Sequence, residues 1–78
     1  MPHYERTTSR DESRRSIVQK TARVVGSMRF TVESETPDNM LFGVTGQDRQ
    51  NHLMKTWELH EQIIEAQIRK AAGDDGRD

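Results

Sequence analysis

The sequence predicts a small α+β domain built as helix–β-hairpin–helix, with both helices on one face of a two-stranded antiparallel sheet that dimerisation could extend. Three observations predict it. Apolar residues recur at helical spacing in the first third of the chain, alternate at strand period in the middle, and return to helical spacing over the last third. With 78 residues there is room for a single domain. The chain divides into a flexible arm over 1–8, the domain over 9–72 and a polar tail over 73–78.

Ser9-Arg10-Asp11-Glu12 has the form of a capping box, in which the serine oxygen accepts a backbone N–H three residues on and Glu12 reaches back. It predicts a first helix from about Arg10 to Val25. Ile17, Thr21, Val24, Val25 and Met28 share one arc of that helix, Arg15, Gln19, Lys20 and Arg23 lie opposite, and Gly26 stops it. The β-branched pair Val24-Val25 could instead open a strand, which leaves residues 22–27 between the two states. Met28, Phe30 and Val32 then alternate with Arg29, Thr31 and Glu33 as a half-buried strand does. Ser34 to Asn39, with Pro37-Asp38-Asn39, is a turn by composition, and Met40, Phe42 and Val44 repeat the alternation in a second strand.

Thr45-Gly46-Gln47-Asp48 offers a second capping box, and the last helix is predicted from about Asp48 to Ala72, ended by Gly73. This helix carries two apolar stripes. Leu53, Met54, Trp57, Ile64, Ile68 and Ala71 share one arc, while Leu59, Ile63 and Ala66 occupy another roughly 140° away. One stripe suffices to dock the helix on the hairpin; the second needs the first helix or another molecule to cover it.

Hydrophobic residues make up 31% of the chain and charged residues 32%, so the core has little apolar material to draw on. There is no cysteine to form a disulfide or a thiolate metal site. No apolar run approaches the roughly 18 residues of a bilayer span, and the N-terminus lacks the apolar core of a secretory signal; a cytoplasmic protein is expected. The net charge of −1 is unevenly spread, with 7 basic and 3 acidic side chains in residues 1–29 against 5 basic and 10 acidic beyond.

The residues offer no catalytic constellation. Gly43-Val44-Thr45-Gly46 lacks the spacing and lysine of a phosphate loop. His52 and His60 lie eight apart rather than the four that align two ligands on a helix, and His60 reads as a boundary histidine beside Trp57 and Ile64. Glu58, Glu61 and Glu65 read as a solvated helix face, and no Ser/His/Asp set appears. The expectation is therefore no enzyme, no cofactor, no metal, no membrane and no small-molecule substrate.

Met28-Arg29-Phe30 through Phe42-Gly43-Val44-Thr45, and then Asp48-Arg49-Gln50 and Thr56-Trp57-Glu58, resembles the hairpin-plus-helix end of the DinI family, regulators of the RecA recombinase filament. The resemblance covers less than half of the chain. Lys55, Arg69 and Lys70 interrupt the acidic stripe that family carries on its last helix, and no residue role is taken from it.

A lean core, open strand edges and a second apolar stripe together predict a regulatory or inhibitory module that binds a larger protein or nucleoprotein, or a second copy of itself. The contact residues expected are Leu59, Ile63 and Ala66 on the second stripe, with Leu41 on the outer face of the hairpin. The alternative is a nucleic-acid-associated protein contacting phosphates through Arg10, Arg14, Arg15, Lys20 and Arg23 on a basic first helix. The pI of about 6.3 speaks against it.

Overall fold

The computed structural model describes residues 3–73 and contains a three-stranded antiparallel sheet followed by one long helix. Strand β1 spans Glu5–Asp11, β2 Ser16–Val25 and β3 Met28–Pro37; a 3₁₀ turn at Asp38–Met40 leads to helix α1, Gly46–Ala71. The sheet order is β1-β2-β3, a simple meander with β2 in the centre. The helix–hairpin–helix prediction is thereby overturned: among the described residues there is one α-helix, and the sheet has three strands. Residues 74–78 of the anticipated tail, and the first two of the anticipated arm, lie outside the described residues.

The segment expected as a first helix is the central strand. Half of β2 is β-branched (Ile17, Val18, Thr21, Val24 and Val25), which crowds a helix and suits a pleated sheet. Val25 pairs with Met28 across a two-residue turn, Gly26-Ser27. Gly26 takes φ +61 at the first central position, where a type II′ hairpin requires a glycine. The supposed capping box forms the other hairpin. The Asp11 carboxylate accepts from Ser13 Oγ at 2.8 Å and from the Arg14 backbone N–H at 3.2 Å, fixing the β1–β2 turn, and these donors hold its pKa below the ordinary aspartate value. Glu5 to Thr8, assigned to the arm, pair with Ala22 to Gln19 as part of β1.

The predicted first strand of the hairpin is real and runs on to Pro37, but Met40–Val44 is no strand. Pro37 ends the ladder, the Asp38 N–H donates to Arg15 O at 2.9 Å, and the Leu41 N–H donates to Asp38 O at 2.9 Å. This turn buries Leu41, placed by sequence on an outer face, to 7% exposure while leaving Phe42 90% exposed. Thr45 caps α1, its hydroxyl accepting from the Asp48 N–H at 3.3 Å, and Gly73 at φ +80 closes its C-terminus.

Helix α1 packs on one face of the sheet, over β2 and β3. The side chains β2 sends to it alternate as Ile17, Gln19, Thr21 and Arg23. Buried hydrophobic residues are few (Ile17, Ala22, Leu41 and Ile64), and Gln19, Thr21, Thr36 and His60 are buried beside them. Gln19, Thr21 and His60 are held by bonds across the layers. Gln19 Nε2 donates to Leu53 O at 3.1 Å, and the hydroxyl of Thr21 meets His60 Nδ1 at 2.9 Å. Among the described residues no helix is long and apolar enough to cross a membrane.

Candidate interaction surface

The buried face of α1 is a row at helical spacing, Leu53, Trp57, His60, Ile64 and Ile68, with Ile64 wholly enclosed. His60 sits at its centre rather than at a boundary. Its ring is 1% exposed, and its second nitrogen, Nε2, meets Ser34 Oγ on β3 at 2.8 Å. Burial pushes its pKa below the ordinary histidine value, so the neutral ring bridges β2, β3 and α1. A serine against an imidazole suggests a nucleophile. Here, however, the other nitrogen meets a threonine hydroxyl in place of the carboxylate that would stabilise an imidazolium. The arrangement locks the helix to the sheet.

On the β1 flank the helix is acidic, and two of its carboxylates are matched by charges from the sheet. Glu61 pairs with Arg6, whose guanidinium lies 5.5 Å from the Trp57 ring centroid. Glu65 accepts from both Tyr4 and Arg23. The Tyr4 hydroxyl, with the Arg23 charge, keeps the Glu65 carboxyl below the usual glutamate range.

The β3 flank is different. Thr56, Leu59 and Ile63 on the helix, with Val32, Ser34 and Thr36 on β3 and Met40 beyond it, line a groove of about 340 Å³. Met40 is 61% exposed, Leu59 55% and Ile63 39%, and the outer edge of β3 is unpaired. His52 and His60 both border this groove, yet no group of three or more metal-ligating side chains is found among the described residues.

The structure thus gathers two of the four contact residues expected from sequence, Leu59 and Ile63, in one groove. Ala66 is exposed one turn further along α1 and does not line it, and Leu41 is buried. Met40 belongs to the groove and is not among the contact residues expected from the sequence, which places it in a second strand of the hairpin. The five basic candidates lie on strands and a turn rather than on a helix. Arg10 pairs with Asp38 at 2.6 Å and lowers that carboxyl's pKa. Arg14 pairs with Glu35 at 3.1 Å and Arg23 with Glu65; Arg15 and Lys20 make no ion pair among the described residues. Three of the five are thereby committed to internal partners. Compared with models of protein families, with curated proteins and with solved structures, the chain finds no match.

Proposed function

We propose that this chain is a small, non-catalytic regulatory or inhibitory module that acts by holding another protein chain against the groove between β3 and α1. The observation that carries this reading is the co-location of exposed Met40, Leu59 and Ile63 with an unpaired strand edge. A strand edge supplies backbone hydrogen bonds, and an adjacent apolar strip supplies desolvation energy and selectivity. The charged residues elsewhere on the surface keep so small a domain dispersed while leaving this strip free to associate.

The test is Ile63→Ala. It should leave the circular dichroism spectrum unchanged and weaken association by about 1–3 kcal/mol, read as loss of the protein captured from the native host by the unsubstituted chain. Loss of folding without a change in capture would make Ile63 a core residue and end the proposal.

A further inference from the structure

We propose that the occupant of this groove is a second copy of the chain, joined by antiparallel pairing of β3 with itself about a two-fold axis at Thr31. The inference rests on the groove reading above and names its partner. Its basis is the order of side chains along β3. On the face turned away from α1 stand Arg29, Thr31, Glu33 and Glu35; on the face toward α1 stand Met28, Phe30, Val32 and Ser34. Positive charge lies at the start of the strand and negative charge at its end. Antiparallel pairing centred on Thr31 brings Arg29 opposite Glu33 of the second copy, twice over, and Phe30 opposite Val32 on the helix side. Shifting the centre to Glu33 would set like charges face to face, so the strand selects among its own registers.

The backbone agrees with this centre. In a two-residue hairpin the flanking pair exchanges both hydrogen bonds, and such pairs alternate along the ladder. With Val25 and Met28 flanking the turn and the register running unbroken to Pro37, the N–H and C=O groups of Arg29, Thr31, Glu33 and Glu35 point to the open edge. Of these, Arg29, Thr31 and Glu33 are the residues that pair in the Thr31-centred arrangement. Met28, 50% exposed in the single chain, comes opposite Ser34 of the second copy. There, beside Phe30, it enters the groove that Leu59 and Ile63 border. Arg29 lies 3.5 Å from Glu5 within its own chain, an exposed pair that it would exchange or share, whereas Glu33 makes no ion pair among the described residues and offers Arg29 of the second copy an uncommitted carboxylate. The product is a six-stranded sheet with both helices on one face.

Light scattering of the purified full chain should give twice 9.0 kDa at micromolar concentrations. Arg29→Glu and Glu33→Arg should each weaken the dimer about tenfold or more, and the two together should restore it, since the charges are merely exchanged. Because the chain has no cysteine, Thr31→Cys should yield a single disulfide-linked dimer on oxidation under native conditions. Paired bonded residues stand about 5.5 Å apart at Cα, within disulfide range. A dimer indifferent to both charge reversals, or one that cross-links through Val32→Cys in preference to Thr31→Cys, overturns the register. A monomer at every concentration overturns the second copy as occupant. If Ile63→Ala then still abolishes capture of a host protein, the groove reading survives that failure; if it does not, both fall.

Discussion

Along one flank of α1, Glu61 and Glu65 meet Arg6, Arg23 and Tyr4, whereas along the other Thr56, Leu59 and Ile63 look out over the edge of β3. Both outer strands expose the same kind of unpaired backbone, so the difference lies wholly in the side chains. On the β1 flank Glu61 and Glu65 each have a cation or hydroxyl to satisfy them, and an incoming chain would have to displace those bonds. On the β3 flank nothing in the described chain covers the apolar strip, and covering it costs only water. Charge on a strand edge discourages pairing; the β1 edge, with Glu5, Arg6, Arg10 and Asp11, is closed in that way, while in the proposed dimer the β3 edge would set Arg29 against Glu33.

The largest contrast is expected between neighbours in the sequence. Ile64 is fully enclosed and Ile63 is 39% exposed. Ile64→Ala should cost about 2–5 kcal/mol of stability through transfer and cavity terms, and Ile63→Ala about 1 kcal/mol or less, both read by urea unfolding. Equal losses would show that the two flanks of the helix are buried alike and erase the comparison.

Between the flanks lies His60, and its environment sharpens the picture. Thr21→Val removes the partner of a buried ring nitrogen and should cost about 1–3 kcal/mol. The pH dependence follows from the direction of the shift: the folded pKa lies below the unfolded value of 6.5. Above that value both states are neutral and His60 is silent. As pH falls through it, the unfolded chain takes up a proton that the folded ring resists, and stability declines until the lower folded pKa is reached. Melting temperatures between about pH 8 and pH 5 should fall less steeply for His60→Gln than for the natural chain. Parallel curves would mean that folding leaves the ring's pKa unshifted.

This polar centre also explains what the sequence conceals. The last helix was legible from Thr45 at its cap to Gly73 at its close, because apart from His60 its inward stripe is apolar and periodic. The central strand was not. Its inward residues alternate as Ile17, Gln19, Thr21 and Arg23, and three of those four are polar because α1 offers a backbone carbonyl, an imidazole and a carboxylate to receive them. An apolar-versus-polar reading cannot see such a face, and the residual spacing of Ile17, Thr21 and Val24 imitates a helix. A local signal existed in Gly26-Ser27 between β-branched and alternating runs, which is hairpin chemistry. For the contact surface, Leu59 and Ile63 followed from the stripe on α1. Leu41 is buried and Met40 exposed because a 3₁₀ turn, rather than a strand, presents them.

The smallest effect belongs to the closed edge, and it separates the two flanks by their response to salt. Glu61→Gln removes the ion pair with Arg6 but leaves the Arg6 guanidinium over Trp57. Both partners are partly exposed, with side-chain exposures of 42% and 30%, so the loss should stay below about 1 kcal/mol. At about 1 M salt the Debye length shrinks to roughly 3 Å, and the difference between Glu61→Gln and the natural chain should disappear from urea unfolding curves. Burial of the β3 strip should behave oppositely. Sulfate, which strengthens apolar association, should tighten the contact made by Leu59 and Ile63, whereas a contact loosened by sulfate would assign the β3 flank to charge and make the two edges alike.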